Sequence, residues 1–393
     1  VGSAAEISCD VAIVGAGLVG ASLAAALARS GLNITVVEPV PPLAPAAGWD
    51  SRIYAISPAA RDFLAAAGAW ERLDPARVQP VLRMAIAGDA PRGRLDFSAD
   101  DAAVVALAWI VESGRLQDAL WQRLAEAVDD VRVLVPARCT KLEVDPLRAR
   151  LELADGRTIS TQLVVGADGA QSWVRRAARL TARADSYGQV GVVANFACAR
   201  PHQATAFQWF RSDGVLAYLP LPGERMSMVW STPDAHAAEL LALDAPSLCR
   251  RVGEAGRGAL GALELLTPPR GFPLQRLAAE SMIGPRVALV GDAAHVVHPL
   301  AGQGVNLGFG DARALAQALR ARRPGEDCGA RPLLRRYERA RAEPILAMRA
   351  VTHGLVRLFG LPGELPSRLR NAGLNFTDRL PVLKAFLVRH AVG

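Results

Sequence analysis

The stretch from Arg286 to Asp311 reads RVALVGDAAHVVHPLAGQGVNLGFGD. It opens on a short apolar run, Val287 to Val290, with the length of a buried strand. Gly291 ends the run, and Asp292 stands at its carboxyl end. A loop then passes His295, His298 and Pro299 and reaches Gly302-Gln303-Gly304. From Val305 onward the spacing of Leu307, Leu315 and Leu319 predicts a helix. The order is strand, carboxylate, glycine turn, helix start.

Each part has a physical use beside a flavin. The Asp292 carboxylate accepts hydrogen bonds from ribityl hydroxyls. Glycines let backbone approach a flat ring closely. The N–H groups of Gly302, Gln303, Gly304, Val305 and Asn306 open a helix, whose N-terminus carries unpaired donors and partial positive charge. That is what the N1–C2=O edge of a reduced, anionic flavin needs.

A second junction lies near the start of the chain. An apolar strand from Cys9 to Val14 runs into Gly15-Ala16-Gly17-Leu18-Val19-Gly20, followed by an Ala/Leu helix with Gly31 as its C-cap. A second strand, Asn33 to Val37, ends at Glu38, with Pro39 beside it. This is a complete dinucleotide fingerprint. Gly15 makes the tight turn, Gly17 admits the pyrophosphate, Gly20 lets the helix pack on the strand, and Glu38 meets the adenosine ribose. The string Gly256 to Gly261 also spells GxGxxG, but no strand precedes it and no acid-tipped strand follows, so it is read as a loop beside helices.

A third junction follows the strand Leu163 to Gly166, where Asp168-Gly169 precedes Ser172 and Arg175. The uncharged run Val11 to Ala28 is long enough for a crude membrane-span criterion. The fingerprint explains it better as strand, turn and helix.

The chain has 393 residues, 51% hydrophobic and 21% charged, with a net charge of +7. That composition is globular, with room for about two to three domains. Lys141 and Lys384 are the only lysines, and the arginines are dispersed rather than clustered. Nucleic-acid binding is therefore not expected. The five cysteines are isolated and read as reduced thiols of a cytosolic protein. His295 and His298 form HxxH in a Gly/Pro loop rather than on a helix, so no metal site is expected.

Arg52, at a loop-to-helix transition, is a candidate for flavin phosphate or ribityl. A helix is expected from Val111 to Val128. Val81 to Phe97 carries strand-like stretches. From Gln189 to Ser231 strands rich in Val, Phe and Trp alternate with turns, which predicts a mostly antiparallel sheet over the flavin ring. Phe207, Trp209, Tyr218 and Trp230, with Phe210, Met226 and Met228, are the candidates for an apolar aromatic-substrate pocket. Glu343-Pro344 is read as the start of a C-terminal part. Two amphipathic stretches follow, Ile345 to Phe359 and Leu374 to Leu387. They are read as helices packed on the body, with a basic, apolar surface for membrane or a partner as the functional alternative.

The three junctions together resemble the class A flavoprotein aromatic hydroxylases, with the para-hydroxybenzoate hydroxylase fold. Within that family the chain is most similar to the ubiquinone-biosynthesis hydroxylases. The resemblance is carried by Arg52 to Ser57, Gly214 to Leu221, Val229-Trp230-Ser231, Phe272-Pro273-Leu274, Gly291 to Gly308 and the tail from Leu383 to Gly393, and it covers nearly the whole chain. One departure is local. Where the family shows E-N-x-x-L, this chain reads Glu112-Ser113-Gly114-Arg115-Leu116, which leaves Gln117 as the candidate for a flavin contact from that helix.

The resemblance implies a Rossmann-like α/β FAD-binding domain, tightly bound FAD, reduction by NADH or NADPH, and reaction with dioxygen. A flavin C4a-hydroperoxide then delivers one oxygen to an electron-rich ring, here an isoprenoid-substituted phenol or quinone precursor. Pro299, through its carbonyl, is the candidate near the reacting atoms; His295 is read as structural, with a catalytic place near the substrate as the alternative. Asp168 and Gly169 join the cofactor set. With one dinucleotide fingerprint, the nicotinamide cofactor has no Rossmann site of its own.

The expected organisation is an FAD-binding domain from 1–75, 105–180 and 280–345, a substrate domain from 76–104 and 181–279, and a C-terminal helical segment, 346–393. A cytoplasmic location, peripheral to a membrane if the tail binds one, is expected. Two rivals stand beside this reading: a hydroxylase of a small soluble aromatic, and a non-catalytic FAD-binding subunit. The sequence leaves ring position, nicotinamide choice and oligomeric state open.

Overall fold

The computed structural model describes residues 6–88, 93–298 and 304–360, the last ten of these by backbone alone. Its first layer is a sheet with a parallel core. The strands Val287–Leu289, Thr158–Gly166, Glu6–Val14, Ile34–Val37 and Val131–Leu134 lie side by side in that order. All four pairings are parallel. Their central residues, 11–14, 163–165 and 287–289, are apolar and buried, as in a parallel sheet whose faces are covered. Leu18–Leu27, Ser113–Ala125 and Gly304–Arg320 supply Leu23, Leu116, Leu120, Leu315 and Leu319 to the same core as Val11, Ile13 and Val165.

Register fixes where the motifs meet. Val14 pairs with both Gly166 and Val37, Gly166 with Leu289, and Val37 with Leu134. The strands therefore end level, and the junctions that follow Val14, Gly166 and Leu289 stand at one carboxyl edge.

The second layer is a mostly antiparallel sheet. Its order is His295–Val296, Arg270–Ala279, Ala182–Cys198, Arg225–Pro233, Gly214–Leu221, Thr205–Arg211, Arg83–Ala87, Arg94–Ser98. One pairing within that path, Thr205–Arg211 with Arg83–Ala87, is parallel. The short strand His295–Val296 pairs with Arg270–Ala279, so the segment after Asp292 is itself part of the second sheet. A small sheet of Ile53–Ile56, Ala108–Glu112 and Gln79–Val81 lies between the layers.

Of the boundaries that differ from the sequence reading, two change the organisation. Val111 belongs to the strand Ala108–Glu112, and the helix begins at Ser113. The β-branched and aromatic run Trp109-Ile110-Val111 pairs on both sides, with Ile53–Ile56 and Gln79–Val81, which outweighs the helical spacing that follows it. The helix Arg331–Gly360 runs through Pro344, so no break separates a C-terminal part there. Tyr337 and Arg341 of this helix are buried, whereas Leu346 is 67% exposed.

Helices Asp234–Ala242 and Ala245–Ala255, which the strand-rich reading of this region passed over, cover one face of the second sheet. The tail stretch from Leu374 onward lies outside the described residues.

Candidate active site

The carboxyl edge is bolted together from parts that each have a local cause. Gly15 has φ +101°, and a Cβ there would come within 2.4 Å of the Ala167 carbonyl oxygen. Only glycine fits this turn, and it brings the first junction against the second. A Cβ on Gly20 would meet the Gly15 oxygen at 2.0 Å, so the helix seats directly on the turn. Gly17 is different, since nothing lies within 4 Å of the Cβ position.

The helix Leu18–Leu27 has no side-chain cap at its start. Elsewhere Ser57, Ser172 and Asp244 cap their helices. An open Gly17 beside uncapped N–H groups fits a pyrophosphate.

Side chains lock this loop from below. Gln117 Nε2 and Trp121 Nε1 both donate to the Ala16 carbonyl, at 2.7 and 3.0 Å. The Gln117 amide nitrogen thus reaches the fingerprint loop. Glu38 Oε2 accepts the Ala16 N–H at 2.6 Å and Oε1 the Val40 N–H at 3.2 Å. The half-buried carboxylate stands at the loop, with Pro39 exposed next to it.

Asp168 caps the short helix after it, taking the N–H groups of Trp173 and Val174 at 2.7 and 3.0 Å. Gly169 has φ +79° and open space where its Cβ would be. Arg175 spans two junctions, donating to Ala293 O at 2.7 Å and Ala170 O at 2.8 Å.

Asp292 is reached by water, though protein surrounds it on most sides, as at the floor of a cleft. Desolvation pushes its carboxyl up from the ordinary value, His295 and Arg52 pull it down, and Asp311 pushes it up. Its carboxylate makes no hydrogen bond among the described residues, so its acceptors face the cleft. Gly304, Val305 and Asn306 form the first turn of Gly304–Arg320. Asn306 clamps that turn to the small sheet, with Oδ1 accepting the Ser57 N–H at 3.0 Å and Nδ2 donating to Ala55 O at 2.8 Å. Pro299, Gly302 and Gln303 lie outside the described residues. The Arg52 guanidinium is exposed and lies 5.6 Å from the Tyr54 ring and 5.9 Å from that of Phe272, near Asp292. An uncapped phosphate-sized notch, a cleft-facing carboxylate and a helix start on one edge fit the two halves of FAD.

One cluster went unread in the sequence. Asp311 is completely buried. Its carboxylate accepts from His295 Nε2 at 2.6 Å, the Gly291 N–H at 2.9 Å and Arg341 Nε at 2.7 Å. Burial pushes Asp311 up, but His295 and Arg341 outweigh it and hold the carboxyl below its ordinary value. His295 is 4% exposed, with its ring committed to Asp311. The triad pins Gly291, and with it the turn that presents Asp292. It joins residues distant in sequence, so no local spacing announces it.

The aromatic candidates of the second sheet require a correction. Trp209, Tyr218 and Trp230, with Met226 and Met228, are buried in the core beneath the two covering helices. The Tyr218 hydroxyl donates to Val252 O of one of them. Phe207, on the same face, stacks on Trp209 at 5.7 Å and lines an outer cavity of about 420 Å³ with Arg83, Arg200 and Leu260.

Side chains alternate along a strand, so the residues between these point the other way. Asn195 Nδ2 donates to Asp50 O, and Leu219 packs with Ala55 and Ile110 of the small sheet, which identifies the cleft side. The half-buried row Val193, Val229 and Ala217, in direct register, lies on that side. Phe272, 39% exposed and paired with Gly191, adds an aromatic there. No group of His, Cys, Asp and Glu among the described residues could hold a metal ion.

Comparison with known proteins agrees with this arrangement. Residues 8–352 match the family described as FAD binding domain. The ubiquinone hydroxylase UbiL of Rhodospirillum rubrum is 38% identical, over 100% of this chain and 91% of that protein. The 3-demethoxyubiquinol 3-hydroxylase of Escherichia coli is 36% identical, over 98% of each chain. Among solved structures, Pseudomonas aeruginosa PqsL in complex with 2-aminobenzoylacetate superposes with a TM-score of 0.79 at 28% identity, covering 94% of this chain and all of that one.

Proposed function

The chain belongs to the FAD-binding-domain family as an FAD-dependent monooxygenase, and we propose that its substrate is a prenylated phenol or quinone precursor of ubiquinone biosynthesis, hydroxylated on its ring. The observation that carries the proposal is the convergence of three junctions on one edge that faces an aliphatic wall, in a chain 36–38% identical to ubiquinone-pathway hydroxylases over nearly its full length. Bound FAD supplies hydride acceptance from NAD(P)H and activation of dioxygen.

The chain's own residues bind and orient. Gly15, Gly17, Gly20 and Glu38 hold the ADP half, with Gln117 and Trp121 fixing the loop. Asp292 takes ribityl hydroxyls, and the Gly304–Asn306 turn directs its N–H groups at the ring edge. His295 acts through Asp311, as a positioning residue. Val193, Val229 and Ala217 keep the cleft dry and leave width for an isoprenoid tail; small aliphatic side chains do this where bulky rings would fill the space.

No helix among the described residues is long and apolar enough to cross a membrane. The basic, apolar stretch from Leu374 to Arg389 would bring a cytoplasmic protein to the surface where such a substrate resides. Flotation with anionic liposomes, lost on deleting that stretch, tests this part. The central reading is tested by turnover of a short-tail prenylphenol under ¹⁸O-labelled dioxygen. One labelled oxygen in the product supports it; unlabelled or unchanged phenol refutes it.

A further inference from the structure

We infer that Arg341 is a positioning residue for the flavin ring: together with Tyr337 it makes the last helix a splint that fixes the direction in which the Gly304–Arg320 helix points. The inference rests on the reading above that the start of that helix faces the ring edge of bound FAD. Tyr337 and Arg341 are buried and stand four residues apart on one face of Arg331–Gly360. They grip the two elements that flank the Asp292 turn. The Tyr337 hydroxyl donates at 2.7 Å to Leu289 O, at the end of the strand before the turn. Arg341 takes hold of the helix after it. Its Nε donates to Asp311 Oδ1 at 2.7 Å and its Nη2 to Leu307 O at 3.1 Å.

Leu307 and Asp311 lie about one helical turn apart. A single planar guanidinium therefore holds the helix at two points along its axis, and two points fix a direction where one would leave a pivot. Glycines admit this close approach. A Cβ on Gly310 would come within 2.7 Å of Arg341 Nη2 and 3.0 Å of its Cζ, so the guanidinium lies against bare backbone. A Cβ on Gly308 would meet Val19 Cγ2 at 2.6 Å and the Gly291 Cα at 3.3 Å. The first turns of the helix are thus held between the fingerprint helix, the Asp292 turn and the last helix.

Direction matters because hydrogen bonds weaken steeply with misalignment. The charge gained on flavin reduction collects at the N1–C2=O edge. Donors aimed there bind reduced FAD more tightly than oxidised FAD, and the difference is read as a midpoint potential. The Arg341 charge is matched by Asp311 at 2.7 Å, so the residue acts on the ring through the aim of the helix rather than through net charge.

The test is the two-electron midpoint potential of the FAD-loaded protein. The wild type should hold FAD at a potential above that of free FAD. Arg341→Met/Asp311→Asn is neutral overall, as the native pair is, and leaves no unpaired buried charge. It should lose about tenfold in its preference for reduced over oxidised FAD, the worth of about one hydrogen bond, which lowers the potential by about 30 mV. Arg341→Lys keeps the charge but not the fork that spans both contacts, and should lie between. Tyr337→Phe removes one hydroxyl and guards against a double variant that fails to fold or to keep its flavin. It should shift the preference the same way by about threefold. Native potentials in these variants, with only the melting temperature lowered, would overturn the inference alone. A wild-type potential at or below that of free FAD would overturn it together with the reading of the helix start.

Discussion

The carboxyl edge of the parallel sheet and the antiparallel sheet above it face the same cleft, yet they encode their roles differently. At the edge, function is written into backbone: a left-handed glycine, an open glycine, an uncapped helix, acids at strand ends. Those requirements restrict residue type at fixed spacing, so the sequence displays them. In the second sheet, function depends on which face of a strand looks inward. Alternation reveals two faces without saying which is covered. There the large aromatics serve packing, and the smaller aliphatic residues between them border the cleft. Aromatic content is thus a poor guide to an aromatic substrate.

The contrast can be broken at its strongest point first. Trp230→Ala should cost about 3–5 kcal/mol of stability, as for a fully buried aromatic. The remaining folded protein should keep its KM for the phenol. A raised KM with unchanged denaturation midpoint would return Trp230 to the cleft.

A second test uses pH. His298 has a pKa of about 4 in the fold and roughly 6.5 unfolded. As pH falls the unfolded chain takes the proton first, so this contribution is complete above about 6.5 and is lost on the way down to 4. The loss amounts to up to about 3 kcal/mol. Thermal melts across that window should show it in the wild type and show it reduced in His298→Phe; parallel curves would contradict the buried neutral imidazole.

Asp292→Ala probes the edge. Loss of charge-assisted hydrogen bonds of about 1.5–3 kcal/mol predicts FAD binding weaker by roughly 10- to 150-fold, with little change in the melting of the apoprotein. Fluorescence titration of FAD measures it, and an unchanged Kd would remove Asp292 from the cofactor site. The mildest expected change is Val229→Phe on the cleft side. It should raise the KM for a prenylphenol by about tenfold and shift stability by no more than about 1–3 kcal/mol. Equal KM values would mean that this row does not border the substrate.

How much was legible follows the same division. The fingerprint, the Asp168-Gly169 turn and the Gly291-Asp292 turn were readable because each is a local string with a steric cause. Their meeting at one edge followed from a parallel sheet. The Asp311 triad was not readable: Arg341 lies thirty residues beyond Asp311 and joins it only when the last helix docks. The same holds for Gln117 and Trp121 closing on Ala16 from 101 and 105 residues away. The inward face of the second sheet became known only with Asp234–Ala242 and Ala245–Ala255 in place over the other.

The measurement that bears most directly on the whole account is NAD(P)H oxidation by the FAD-loaded protein with peroxide quantified, with and without a short-tail prenylphenol. The account predicts faster oxidation with the phenol, little peroxide and a matching amount of ring-hydroxylated product. Flavin binding with no stimulation by the phenol, or stimulation that yields only peroxide, would contradict it.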